Sequence, residues 1–88
     1  MKFEWDEEKN LANIAKHGIS FEKAVRAFLD PKRKIRFNER HSAVEMRYYC
    51  LGMVGERVMT VRFTMRGSKV RIIGAGFWRE GRKIYGKD

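Results

Sequence analysis

The chain has 88 residues, of which 43% are hydrophobic and 35% are charged, and its formal net charge is +9. This length predicts a single domain spanning residues 1–88, and the hydrophobic content excludes a disordered chain. One cysteine excludes an internal disulfide and favours the reducing cytoplasm, and no apolar stretch reaches the roughly 20 residues of a membrane span. We therefore expect a cytoplasmic protein without membrane contact.

The positive charge is concentrated in the later part of the chain. Residues 1–30 hold five basic and six acidic side chains, so the whole positive excess lies after residue 30. A concentrated positive surface favours a polyanionic partner, and we expect nucleic acid. An acidic protein partner is the alternative that charge alone leaves open.

The first predicted element after a short extended start is a helix. Asp6 has the character of an N-cap, and the helix is predicted to run to about Lys16. Its apolar stripe is predicted to consist of Leu11, Ile14 and Ala15. Gly18 is suited to the left-handed position that ends a helix.

A second helix is predicted to begin after Ser20 and to end before Pro31. Its buried face follows helical spacing of three and four residues. That face is predicted to contain Phe21, Ala24, Val25, Phe28 and Leu29.

After residue 30 the pattern changes to strands. Basic residues around Ile35 and Phe37 predict a short strand with a charged edge, followed by a loop over 38–44. A period of two then predicts antiparallel strands joined by short turns, and a closing helix. Their predicted bounds are 46–53, 57–65, 69–76 and 78–85.

These elements predict an α+β fold. It would have two N-terminal helices, a three- to four-stranded antiparallel sheet and a short C-terminal helix, with the helices against one face. Cys50 lies in an apolar run, so we expect it in the core and not as a nucleophile.

Metal ligands are sparse in the basic part of the chain. His17 and His41 are the two histidines, and no His or Cys pair has the spacing of a zinc site. Most acidic residues lie early, in cap-like positions, whereas a two-metal nuclease needs converging carboxylates. We therefore expect no metal and no cofactor.

Arginine is the residue type that remains for chemistry. Guanidinium groups bind phosphate through paired hydrogen bonds, and several of them can stabilise a transition state without a metal. If the turn is centred on Gly67 and Ser68, Arg62 and Arg71 are expected to be neighbours on adjacent strands. For any single arginine, a solvated polar face is the alternative. The basic group comprises Arg62, Arg66, Arg71, Arg79 and Arg82.

Aromatic residues near the end of the chain have two interpretations. Tyr85 can stack on a base or handle a proton. Phe77 and Trp78 can also stack on bases, although core packing is the commoner role of aromatic residues at a strand end.

Several segments resemble the BrnT toxins, over nearly the whole chain. The letters FEWD and NIAKHGISF near the start are similar to the opening signature of that family. Later segments resemble its strands and its terminal helix in the same order, and these are 47–48, 51–52, 64–67, 70–73 and 79–85.

The resemblance implies a RelE-like fold and a metal-independent ribonuclease toxin of a type II toxin–antitoxin system. In RelE-like enzymes the RNA 2′-hydroxyl attacks the adjacent phosphate and leaves a cyclic phosphate, with basic and tyrosine side chains in place of a metal. The resemblance also implies a BrnA-like antitoxin with a ribbon-helix-helix domain. Operator DNA would then be bound only through the toxin–antitoxin complex.

The basic cluster and the resemblance together predict the site. Arg66, Arg71 and Arg79 are expected to bind the scissile phosphate, and Lys16 or His17 to assist proton transfer. The predicted catalytic residues are Lys16, His17, Arg66, Arg71, Arg79, Glu80 and Tyr85. The predicted RNA-binding residues are Arg62, Lys69 and Arg82.

Two positions depart from the pattern that the resemblance implies. Gly74 and Gly76 stand where most members of the family have serine and arginine. A basic group that could serve the active site is therefore absent at position 76, and Arg79 is the residue that could replace it. The alternative function is a catalytically weak or inactive toxin homologue, which would act as a basic module that binds an antitoxin or nucleic acid.

Overall fold

The fold is built on a five-stranded sheet within residues 1–39 and 45–87, the residues that the computed structural model describes. The elements in chain order are β1 (Lys2–Glu4), α1 (Glu7–His17), α2 (Phe21–Ala24), a 3₁₀ segment (Val25–Leu29), β2 (Lys34–Phe37), β3 (Arg47–Val54), β4 (Arg57–Arg66), β5 (Lys69–Gly76) and α3 (Arg79–Tyr85). Residues 40–44, which include His41 and most of the predicted loop, lie outside the described residues.

The sheet is mixed, with strand order β1-β5-β4-β3-β2. Strand β1 pairs with β5 in parallel, whereas the other neighbours are antiparallel. The predicted purely antiparallel sheet of three or four strands is therefore wrong in strand number and in the direction of β1. Three residues are too few to show a period of two, and their partner strand begins at Lys69, far along the chain.

The meander from β3 to β5 agrees with the prediction. Gly55 and Gly67 lie in its two turns with φ values of 64° and 60°, a left-handed region that suits glycine. The second hairpin closes with Arg66 opposite Lys69. It follows that Arg71 lies opposite Thr64, and a register shift between Arg62 and Phe63 places Arg62 opposite Gly74. The predicted pairing of Arg62 with Arg71 is wrong.

The core lies on one face of the sheet, under α2 and the 3₁₀ segment. The Phe28 ring centroid lies 5.1 Å from those of Phe3 and Phe63, in edge-to-face contacts. Cys50 is fully buried in this core, as predicted, and its burial raises the pKa of its thiol to about 12. The thiol is therefore unsuited to act as a nucleophile at neutral pH.

Helix α3 packs on the opposite face of the sheet, which corrects the prediction that all helices share one face. Gly81 lies directly over Leu51 and Thr60 of the sheet, and a Cβ atom at this position would collide with the Thr60 hydroxyl. A glycine inside a short helix therefore allows the close approach of helix and sheet. The space beside α3 on this face remains open.

Helix α1 is docked by asparagines and not by its predicted apolar stripe. Leu11 and Ile14 are 59% and 40% exposed, whereas Asn10 and Asn13 are buried. Asn13 donates to the carbonyls of Ile19 and Ala75 and accepts from the backbone N–H of Ala75. Buried amides that satisfy strand-end backbone groups fix the position of this helix more specifically than apolar contact does.

The second helix is shorter than predicted. It ends at Ala24 and continues as the 3₁₀ segment to Leu29. Phe21 and Phe28 are buried as expected, but Leu29 is 71% exposed. A 3₁₀ segment turns by three residues per turn, so the last residue rotates out of the face predicted from α-helical spacing. No helix in the described part of the chain is long and apolar enough to cross a membrane.

Candidate functional site

A cleft of about 1030 Å³ opens on the face of the sheet that carries α3. Its floor is formed by β3 and β4, one wall by α3, and another by the end of α1 with the residues that follow β2 and β5. The lining residues are Lys16, His17, Asn38, Glu39, Tyr49, Leu51, Thr60, Arg62, Trp78, Glu80, Gly81 and Ile84. Four of the predicted site residues are among them, namely Lys16, His17, Arg62 and Glu80.

The end of α1 brings Lys16 and His17 to the rim of the cleft. The helix stops at Gly18, which has a φ of 70° and donates its N–H to the Ile14 carbonyl at 2.8 Å. One turn earlier, the bonds of Asn13 to Ala75 fix the helix against the end of β5. Lys16 and His17 are therefore held in position by the side-chain hydrogen bonds of Asn13 before them and by the backbone hydrogen bond of Gly18 after them.

Arg62 lies on the floor of the cleft, in the middle of the sheet. It is exposed, and Tyr49 and Gly74 are its neighbours on the adjacent strands. Its guanidinium rests over Gly74, because a Cβ atom at that glycine would lie 2.5 Å from one terminal nitrogen. Among the described residues no carboxylate forms an ion pair with Arg62. This cation is therefore available to an anionic ligand.

Trp78 lies beside Arg62 and was not predicted as a site residue. Its ring centroid is 6.0 Å from the guanidinium carbon of Arg62 and 5.4 Å from the His17 ring, which meets it edge to face. The indole rests over Gly76. Two glycines at alternate positions, Gly74 and Gly76, leave the end of β5 without side chains on this face, and this is the sequence feature that makes room for the indole.

Three predicted residues lie elsewhere, at the turn end of the β4–β5 hairpin. Arg71 donates to the Glu4 carboxylate at 3.0 Å, and Lys69 lies 3.8 Å from the same carboxylate. Arg66 ends β4 directly opposite Lys69. The parallel pairing of β1 with β5 places Glu4 beside Arg71, so the charge of Arg71 is already balanced within the protein.

Tyr85 also lies outside the residues that line the cleft. Its hydroxyl donates to the Asp30 carboxylate at 2.5 Å, and this carboxylate also accepts from the backbone N–H of Met53. The shared hydrogen bond lowers the pKa of Asp30 and raises the pKa of Tyr85. The bond ties the end of α3 to the 3₁₀ segment and holds the phenol in its protonated form.

The two remaining arginines lie on α3 but do not line the cleft. Arg79 is the exposed first residue of the helix. Arg82 borders a second, smaller cleft of about 300 Å³, where the Arg57 guanidinium carbon lies 3.9 Å from the Phe77 ring centroid. Helix α3 therefore presents Glu80 to the large cleft and Arg82 to the small one.

No group of three or more His, Cys, Asp or Glu side chains in residues 1–39 and 45–87 is arranged to hold a metal ion. The charged lining of the large cleft consists of two cations, Lys16 and Arg62, with the carboxylates of Glu39 and Glu80 and the His17 imidazole. A permanent cation beside groups that can accept or donate protons is an arrangement suited to binding a phosphate and moving protons around it.

Comparison with known proteins identifies a family for this chain. The comparison with curated proteins gave no match. The family model described as the ribonuclease toxin BrnT of type II toxin–antitoxin systems matches residues 5–80, which covers α1, the whole meander and the first residues of α3. With most of its length matched, the chain belongs to the BrnT family of ribonuclease toxins.

Proposed function

We propose that this protein is an endoribonuclease toxin that cleaves RNA in the large cleft without a metal ion. The observation that carries the proposal is the meeting of Arg62 with Lys16, His17 and Glu80 in one cleft. Membership of the BrnT family supports RNA as the substrate. The free thiol of Cys50 fits a cytoplasmic location.

Arg62 is proposed to bind the non-bridging oxygens of the scissile phosphate. Its guanidinium is exposed and arginine carries a permanent positive charge, so it can stabilise the negative charge that grows on the non-bridging oxygens in the transition state. Arg62 thereby replaces Arg66 and Arg71 as the proposed phosphate-binding residue, because those two arginines lie at the turn end of the β4–β5 hairpin. Arg79, at the start of α3, remains a candidate for a neighbouring phosphate.

The proposed reaction is an attack of the RNA 2′-hydroxyl oxygen on the adjacent phosphorus. The 2′-hydroxyl proton passes to a base in the cleft, the bond from phosphorus to the 5′-oxygen breaks, and that oxygen receives a proton. The products are a 2′,3′-cyclic phosphate and a 5′-hydroxyl. Glu80 and either Lys16 or His17 are proposed as the base and the acid, because they line the cleft that holds Arg62.

The partner is proposed to be an acidic, BrnA-like antitoxin with a ribbon-helix-helix domain. The type II family supports a protein antitoxin, and the net charge of +9 favours an acidic surface on that partner. Operator DNA would then be bound through the complex and not by this chain alone.

A second candidate function is that of a toxin homologue with weak or no activity. The observation that favours it is Gly76, which carries no cationic side chain beside the cleft. Expression of the chain alone in cells separates the two functions: growth arrest supports the active toxin, and harmless expression at high level supports the weak homologue.

The direct test is cleavage of single-stranded RNA by the purified protein in excess EDTA. We expect fragments that end in a 2′,3′-cyclic phosphate. Cleavage that stops in EDTA and returns with magnesium would contradict the metal-free mechanism, and a complete lack of cleavage at any protein concentration would contradict the enzyme.

A further inference from the structure

Strand β5 ends in a flat surface made by two glycines. Gly74 and Gly76 lie two positions apart, and both are buried. Successive side chains of a strand point to opposite faces, so these two positions share the face that the cleft occupies. Two planar groups from elsewhere in the chain cover them: the guanidinium of Arg62 lies over Gly74 and the indole of Trp78 over Gly76.

The indole lies flat on Gly76. A Cβ atom built at this glycine would be 2.5, 2.7 and 2.8 Å from three successive carbons of the six-membered ring of Trp78. An edge-on ring would bring one carbon much closer than its two neighbours, so nearly equal distances indicate a face-on contact. One face of the indole therefore rests on the strand, and the other faces away from it.

Two further side chains lie close to the indole. The His17 ring meets it at an interplanar angle of 77°, with centroids 5.4 Å apart, and the Arg62 guanidinium lies at 6.0 Å from its centroid. These contacts leave Trp78 half-buried while it still lines the cleft. An aromatic face held in one orientation costs little side-chain entropy when a ligand stacks on it.

We infer that Trp78 forms a nucleobase-binding subsite beside the phosphate held by Arg62, and that Gly76 is the residue that makes room for it. This inference rests on the proposed function of the cleft and adds how a nucleotide lies in it. Bases stack on aromatic side chains in single-stranded nucleic acid complexes, while the phosphate is held by a neighbouring cation. A planar cation and an aromatic ring 6.0 Å apart offer these two contacts to one nucleotide.

The subsite also explains the two glycines in physical terms. Any side chain at position 76 would push the indole off the strand, and any side chain at position 74 would displace the Arg62 guanidinium. An arginine at position 76 and the present position of Trp78 are therefore mutually exclusive. In this chain β4 supplies the arginine of the cleft, and the aromatic ring of Trp78 occupies the end of β5.

The test compares two short labelled probes by fluorescence anisotropy. One is an oligodeoxynucleotide, which lacks the attacking 2′-hydroxyl and stays intact; the other has the same length with an abasic site at every position. Both carry the same phosphates. We expect the full-length wild type to bind the first at least about fivefold more tightly, the lower limit for stacking of one base.

Two variants assign the difference to the subsite. Trp78→Leu and Gly76→Ala should bind both probes with equal affinity, close to that of the wild type for the abasic probe. If Gly76→Ala fails to fold, Trp78→Leu decides alone. Equal binding of the two probes by the wild type, or a preference that persists in Trp78→Leu, would overturn the subsite.

The outcome is separable from that of the proposed function. RNA cleavage with no preference between the probes would support the ribonuclease and contradict the subsite. If the protein cleaves no RNA but prefers the first probe in a way that depends on Trp78, the result supports the subsite and contradicts the ribonuclease. Absence of binding to either probe also counts against the subsite.

Discussion

Two arginines of the same hairpin, Arg62 and Arg71, have different surroundings. Arg62 rests on a glycine near the end of the hairpin that lies away from its turn, with no ion pair to a carboxylate among the described residues. Arg71, near the turn, is bonded to Glu4 at 3.0 Å. The difference comes from strand β1, which brings a carboxylate to only one end of the hairpin.

The comparison shows that basic residues cannot be ranked by counting charges along the chain. A cation whose charge is already compensated by a neighbouring carboxylate attracts a phosphate less strongly than an exposed cation without such a partner. The two ends of one hairpin therefore differ in function: the turn end joins β1 to the sheet, and the cleft end faces the ligand.

The largest effects are expected from the proton-transferring groups of the cleft. Replacing the residue that acts as general base or acid, by Lys16→Ala or His17→Ala, should lower the cleavage rate by about 10²- to 10⁴-fold. Initial rates with a fluorescent RNA substrate measure this. Lys23→Ala, an exposed lysine on α2 that does not line the cleft, is the matched control and should cleave at the wild-type rate. If Lys16→Ala and His17→Ala both cleave within tenfold of the wild-type rate, neither residue of α1 takes part in proton transfer.

A second large effect is expected from the asparagine that positions α1. Asn13→Ala leaves the buried N–H and C=O of Ala75 without their side-chain partner, and each unsatisfied buried group costs about 1–3 kcal/mol. We expect a loss of about 2 kcal/mol or more in the free energy of unfolding, measured by urea denaturation. Leu11→Ala, on the exposed face of the same helix, should change it by less than about 0.5 kcal/mol. A larger loss of stability in Leu11→Ala than in Asn13→Ala would show that the apolar stripe, and not the asparagines, docks α1.

A smaller, pH-dependent effect is expected from the bond between Tyr85 and Asp30. The lowered pKa of Asp30 stabilises the fold above the ordinary value of 3.8, and this contribution is lost as pH falls through the folded-state pKa. The raised pKa of Tyr85 stabilises the fold below the ordinary value of 10.0, and that contribution is lost as pH rises through the folded-state pKa.

Tyr85→Phe removes the contribution of Tyr85 and the part of the Asp30 contribution that depends on the Tyr85 hydroxyl. The hydrogen bonds of Asp30 to the backbone N–H groups of Met53 and Lys32 remain. The melting temperature of Tyr85→Phe should therefore lie below that of wild type near neutral pH, and the two should converge in strong acid and in strong base. Tyr48→Phe, at a tyrosine whose ring stacks on Phe63, is the control for loss of a phenol hydroxyl elsewhere. A gap between wild type and Tyr85→Phe that stays constant with pH would show that the hydrogen bond does not stabilise the fold.

The sequence was most informative where local patterns decide structure. Alternation and turn glycines predicted the β3–β5 meander within a residue or two, and Gly18 marked the end of α1. Long-range pairing left no local signal. The letters of residues 2–4 do not predict a parallel partner at β5. The ion pair between Glu4 and Arg71 could therefore not be predicted either.

The candidate site was predicted in part for the same reason. Arg62 was predicted from its residue type, and Lys16, His17 and Glu80 were predicted with the help of the family resemblance. The fold brings all four to one cleft. Trp78 was considered for base stacking but was left out of the predicted site, because an aromatic residue at a strand end usually belongs to a core. Its role depends on Gly76, and the absence of a side chain is informative only once the neighbouring strands are known.

The most direct test of the contrast between the two ends of the hairpin is a comparison of Arg62→Ala with Arg71→Ala in RNA cleavage with excess EDTA. Loss of a group that stabilises transition-state charge costs about 10²- to 10³-fold, and we predict this loss for Arg62→Ala. Arg71→Ala should keep nearly the wild-type rate, with at most a small loss of stability from the partly exposed ion pair. Wild-type cleavage by Arg62→Ala, together with a collapse of the rate in Arg71→Ala, would contradict the account.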